Sequence, residues 1–236
     1  MNTAPERHES TIVAGETMLK GWLEVPPGAS GIVVFVHGSG SSRFSSRNNA
    51  VAGYLREGRL GTLLFDLLTT DEERIDTVTR EYRFDIPLLS RRLTDAITWL
   101  RDEPQAAGLP VGLFGSSTGA AAALIVAASM PEQVAAVVSR GGRVDLAGKY
   151  LGKVEAPTLM IVGGADHEVL RLNRAAREQL HSIAEIAVVA RATHLFEEPG
   201  ALEQVASLTR DWFVQQLARR TDAKTPVRRN ASGRAL

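Results

Sequence analysis

The chain has no cysteine among its 236 residues, which removes disulfides, thiolate-held zinc and a cysteine nucleophile from consideration. It has no excess of either charge: 27 basic and 27 acidic residues cancel. The electrostatic footprint of a nucleic-acid binder is therefore missing, and basic residues are not interleaved with aromatic ones. No apolar run is long enough to span a bilayer, since the longest, residues 120–128, has about half of the ~20 residues that a spanning helix needs. The opening residues 1–8 are polar and carry no apolar signal core. Together these absences lead us to expect a cytoplasmic protein with neither membrane nor nucleic acid as a partner.

What is present is ordinary for a soluble globular protein: 44% hydrophobic and 23% charged residues, in a length that suits one domain. Residues 1–220 are expected to form that domain. Residues 221–236, rich in Arg, Pro, Ser and Gly without apolar periodicity, read as a mobile tail. Residues 10–14 and 18–25 alternate polar and apolar around Ala14-Gly15-Glu16, the pattern of an edge hairpin. The run Gly31-Ile32-Val33-Val34-Phe35-Val36 is apolar throughout, as expected for a parallel strand covered on both faces. Strands and helices then alternate: helix 48–56, strand 60–65, helix 86–101, strand 111–114, helix 120–130, strand 134–139, strand 157–162, helix 168–181 and strand 186–190. A closing helix, about 201–218, sets Val205, Leu208, Trp212, Phe213 and Leu217 on one face. This alternation predicts a doubly wound α/β sheet whose strand ends share one rim.

Residues 111–119, V-G-L-F-G-S-S-T-G, form the stretch around which the rest is organised. An apolar strand runs into G-x-S-x-G and then into a helix of small residues, the context of a nucleophile elbow that lifts Ser117 clear of the sheet. A serine hydroxyl needs a base, and the base needs an acid that orients it. Asp166, after the strand 157–162, and His194, between the last strand and the closing helix, follow in the chain order that goes with an elbow. Other acids lie close by: Glu168, Glu197 and Glu198. A simpler fate for Asp166 is to cap the next helix. The oxyanion of a tetrahedral intermediate would be received by the backbone N–H of Thr118 and by that of Ser39 in the loop H-G-S-G at 37–40, with His37 bracing that loop. This loop lacks the Gly-Lys pair of a P-loop and the third glycine of a dinucleotide fingerprint. Arg43, Arg140 and Arg143 all lie on rim loops and are candidates for binding a substrate carboxylate; pairing with Asp66 or Asp145 is their alternative. No metal or cofactor is required by this set.

The segments V-H-G-S-G-S-S-R, F-G-S-S-T-G-A, V-V-S-R-G-G-R, I-V-G-G-A-D and A-T-H-L-F-E-E-P-G resemble the α/β-hydrolases and, within them, the dienelactone hydrolase-like branch, over roughly residues 10–218. The resemblance implies an eight-stranded, mainly parallel sheet with helices on both faces and hydrolysis of an ester or lactone through an acyl-enzyme. Dienelactone hydrolases proper are similar in triad layout but carry cysteine where Ser117 stands, and serine there fits a general carboxylesterase. Only about 17 residues separate Ser139 from Pro157, which leaves room for one short helix and no lid. The expected partner is therefore a small-molecule, short-chain ester. Acyl transfer or perhydrolysis would use the same three residues, and a non-catalytic binding module would keep the fold without turnover.

Overall fold

The computed structural model describes residues 8–224. They form one eight-stranded sheet with the order β1-β2-β4-β3-β5-β6-β7-β8. The strands are β1 (His8–Ala14), β2 (Thr17–Glu24), β3 (Ile32–Val36), β4 (Gly61–Phe65), β5 (Val111–Ser116), β6 (Val134–Arg140), β7 (Thr158–Gly163) and β8 (Ala184–Val189). Strands β3 to β8 run parallel, and the hairpin β1–β2 adds two antiparallel strands at one edge. Gly15 takes φ +61° in the two-residue turn of that hairpin, a conformation that suits glycine.

The continuous apolar strands feed two cores because successive side chains point to opposite faces. In β3, Ile32, Val34 and Val36 enter one core while Val33 and Phe35 enter the other. The first core lies under α3 (Ile86–Asp102) and α4 (Thr118–Ser129), the second under α1 (Ser46–Glu57) and α6 (Ala201–Lys224). In α6, Val205, Trp212, Phe213 and Leu217 are buried as expected and Leu208 packs beside them. Helix α6 continues to Lys224, beyond the expected end at 218, and the rest of the anticipated tail, 225–236, lies outside the described residues.

One helix falls where the sequence analysis assigns none: α2 (Thr70–Thr79), between β4 and α3. Its opening carries a capping box, in which the Thr69 side chain accepts from the Glu72 N–H and the Glu72 carboxylate accepts from the Thr69 N–H. No lid follows β6. Residues Val144–Lys153 make two short 3-10 turns joined across Gly148.

The chain order also fixes where a site can form. From β4 the chain crosses over β3 to reach β5, so the loops after β3 and β5 diverge and leave a crevice at the carboxyl ends of these strands. The elbow closes β5 at that crevice.

Candidate active site

Ser117 stands between β5 and α4 with φ 50° and ψ −122°, a backbone conformation rare outside glycine and costly by about 1–3 kcal/mol. What holds it there is close packing of the motif's glycines. A Cβ on Gly119 would lie 2.2 Å from the Val36 carbonyl oxygen, and one on Gly115 would lie 2.5 Å from the Ala120 Cα. The elbow is also tied to the next loop. The Ser117 N–H donates to the Arg140 carbonyl (3.2 Å), and the Arg143 N–H donates back to the Ser117 carbonyl (3.0 Å).

The other two residues of the expected triad sit on neighbouring loops that are laced together. The Gly164 N–H donates to the Val189 carbonyl (2.8 Å) and the Ala165 N–H to the Ala192 carbonyl (2.9 Å). This brings Asp166 Oδ2 to 2.7 Å from His194 Nδ1. Asp166 does occupy the N-cap position of α5 (His167–Arg177), yet its side chain makes no capping hydrogen bond. Its carboxylate is given to the imidazole instead. The competing acids are engaged elsewhere: Glu168 with Arg171 (3.2 Å), Glu197 with Arg47 (3.0 Å), and Glu198 with the Thr193 N–H (2.9 Å). His167 is exposed.

Ser117 and His194 face a common cavity of about 230 Å³, smaller than the roughly 300–1,000 Å³ of drug-sized pockets. With Nδ1 bound to Asp166, Nε2 is the nitrogen left for the cavity side. The Ser117 hydroxyl makes no hydrogen bond among the described residues. Hydrogen bonds between nucleophile and base commonly tighten only when substrate is bound.

The two expected oxyanion donors are brought together, with one complication. The Ser39 N–H donates to the Thr118 Oγ1 at 3.0 Å, so it already has a partner. Thr118 opens α4, where the first N–H groups have no intrahelical acceptor. His37 is buried and bonded at both ring nitrogens: Nδ1 lies 3.0 Å from the Gly38 carbonyl oxygen, and Nε2 lies 2.9 Å from the Leu67 N–H, which donates to it. The ring therefore carries its proton on Nδ1 and is neutral. Burial holds its pKa below the ordinary histidine value, against weaker upward pulls from the Gly38 carbonyl and Asp66.

The three rim arginines have different fates. Arg43 is not at the cavity: its guanidinium pairs with Asp66, its N–H donates to Asp66 Oδ1 (2.7 Å), and it stacks over Phe44 at 4.3 Å and Trp22 at 5.2 Å. It is structural, which corrects its candidacy for substrate binding. Arg143 is likewise spent on Asp145, through Nε at 2.9 Å and Nη2 at 2.8 Å. Arg140 lines the cavity and is only 8% exposed, yet Nε and Nη1 are buried without a partner among the described residues. Burial first, and the nearby Arg47 second, push its pKa down to about 10, which still leaves it charged at neutral pH. Ser45 and Arg47, from the start of α1, also line the cavity and were not singled out in the sequence. The N-cap serine with a helix behind it was the available signal.

The description of the Dienelactone hydrolase family fits residues 50–217 of the chain. The crystal structure of a dienelactone hydrolase from Anabaena variabilis is 53% identical, covering 90% of this chain and 99% of that one, with a TM-score of 0.89. Est1E from Butyrivibrio proteoclasticus shares the fold at 14% identity, over 89% of this chain and 99% of that one, with a TM-score of 0.74. A Mycobacterium tuberculosis protein provisionally named a phosphoribosyl transferase is 56% identical over 209 residues, 89% of this chain and 46% of that protein. The chain thus spans about half the length of the curated relatives it matches. By the extent of these matches, on an eight-stranded α/β-hydrolase sheet, the chain belongs to the dienelactone hydrolase family of hydrolases.

Proposed function

We propose that this chain is a serine hydrolase that cleaves small or short-chain carboxylic esters, with lactones as a further candidate class, through an acyl-enzyme. The observation that carries the reading is the Asp166 carboxylate. Sited to cap a helix, it is turned to His194 at 2.7 Å instead, the arrangement that fixes an imidazole tautomer for work as a base. His194 Nε2 takes the proton of Ser117 as its oxygen attacks the ester carbonyl. The resulting oxyanion is received by the Thr118 and Ser39 N–H groups, the first helped by the positive end of α4. Thr118 Oγ1 holds the Ser39 amide in position and shares it when the oxyanion forms. Collapse expels the alcohol with the proton from His194, and water repeats the sequence on the acyl-enzyme.

The absence of a lid and the small cavity support short substrates. Transfer of a phosphoribosyl group, the activity in the name of the Mycobacterium tuberculosis protein, has no need of a serine, histidine and aspartate in this layout, so the geometry favours acyl chemistry. The test is hydrolysis of p-nitrophenyl acetate. Ser117→Ala should lower kcat/KM by at least about 10⁴-fold without changing the unfolding midpoint by much. Equal rates for the two proteins would end the proposal.

A further inference from the structure

Arg140 raises a question that ester hydrolysis alone does not answer. A guanidinium on a residue only 8% exposed is costly to bury without a counter-charge, and no carboxylate pairs with it among the described residues. Its charged neighbour is another cation, Arg47, whose own carboxylate partner is Glu197 (3.0 Å). Arg47 Nε is also buried without a partner among the described residues.

The donors around the cavity come from three elements. Arg140 arrives from the end of β6. Arg47 and Ser45 come with the first turn of α1, a twelve-residue helix whose leading N–H groups carry partial positive charge. Ser39 and Ser41 come from the loop after β3, and their hydroxyls make no hydrogen bond among the described residues. Leu195 supplies the aliphatic side chain of a wall that is otherwise built from serines, a glycine, two arginines and His194. A planar carboxylate is used up by one guanidinium fork, whereas donors converging from three directions suit a tetrahedral oxyanion.

We propose that the cavity beside Ser117 receives a phosphate group carried by the substrate, held by Arg140, Arg47 and the first turn of α1. The site owes nothing to the P-loop or dinucleotide patterns, which the 37–43 loop lacks. The inference rests on the serine hydrolase reading for its role: the carboxylic ester is cleaved and the phosphate serves only as a handle. Substrates are then acyl esters that bear a phosphate on the acyl or the alcohol side.

The experiment is calorimetric titration of the full chain with inorganic phosphate at fixed ionic strength, with acetate as the carboxylate control. It needs no turnover, so it stands or falls separately from p-nitrophenyl acetate hydrolysis, whose substrate has no phosphate. Phosphate should bind the wild type, bind Arg140→Gln at least about tenfold more weakly, and bind Arg47→Gln about threefold more weakly. Acetate should bind neither measurably. Circular dichroism checks that Arg140→Gln is folded; should it not be, the partly exposed Arg47→Gln decides. The proposal is overturned by an absence of phosphate binding up to about 10 mM, by equal affinity in the deciding variant, or by acetate binding as tightly as phosphate.

Discussion

Toward the β4 flank of the sheet, Arg43 closes on Asp66, Arg92 grips Glu72 through both Nη atoms (2.7 and 2.5 Å), and Asp76 collects the N–H groups of Tyr82 and Arg83 together with Arg83 Nε (2.6 Å). Toward the β6 flank, Arg140 Nε and Nη1, Ser139 Oγ and Asn173 Oδ1 are buried with no partner among the described residues. The two flanks meet at the same rim, one on each side of the elbow. On the first, buried carboxylates are paired with arginines and hold loops in place, although Arg43 Nε has no partner among the described residues. On the second, backbone hydrogen bonds and the Asn173 amide hold the loops, and Arg140, which lines the cavity, has no carboxylate partner among the described residues. A paired carboxylate marks structure, and an arginine that lines a cavity without a counter-charge marks a place for a ligand.

Removing an anchor on the first flank should do the most damage. Asp76→Ala strips three donors of their acceptor and leaves Arg83 uncompensated, so urea unfolding should show a loss of about 3–5 kcal/mol. In the wild type, burial opposes the Asp76 charge, but the hydrogen bonds from Arg83 and Tyr82 outweigh it and hold the carboxyl below its ordinary pKa. That contribution is present above the unfolded value near 3.8 and is lost as pH falls through the lower folded value. A loss below about 1 kcal/mol would contradict the structural role of the α2 segment.

The sharpest contrast is between two arginines. Arg43→Gln leaves Asp66 without its cation and should cost about 2 kcal/mol. Arg140→Gln removes a buried charge that has no partner, and should be neutral or stabilising by about 1 kcal/mol in the same urea titration. Equal losses in the two variants would erase the distinction between the flanks.

A smaller, pH-dependent effect separates the loop after β3 from both. Because the folded state lowers the His37 pKa, the unfolded chain takes up this proton first as pH falls below about 6.5. The stability from neutral His37 is thus complete above that value and is lost as pH falls from it toward and through the folded pKa, with a slope of at most about 1.4 kcal/mol per pH unit. His37→Gln should flatten the dependence of unfolding free energy on pH between 7 and 5. Parallel curves for the two proteins would show that the ring does not contribute.

Much of this architecture was legible in the chain itself, because parallel strands covered on both faces are written as unbroken apolar runs, and the elbow adds a local motif with its own context. Helix α2 was not legible from apolar periodicity, for it packs little apolar surface: Ile75 and Val78 are exposed. Its capping box, Thr69 with Glu72, was a usable sign. At the site, Ser117, Asp166 and His194 could be named from chain order, whereas the engagement of Glu168, Glu197 and Glu198 with other partners is visible only in space. The same holds for the arginines. Sequence places Arg43, Arg140 and Arg143 alike on rim loops, and only tertiary neighbours separate the neutralised from the bare.

The left-handed backbone at Ser117 has a consequence beyond chemistry. Every molecule that keeps this hydroxyl raised keeps a spring compressed at the centre of its sheet, and the tension is borne by the glycine contacts on either side. Natural selection for a hardier fold and selection for a raised hydroxyl therefore pull against each other at a single position.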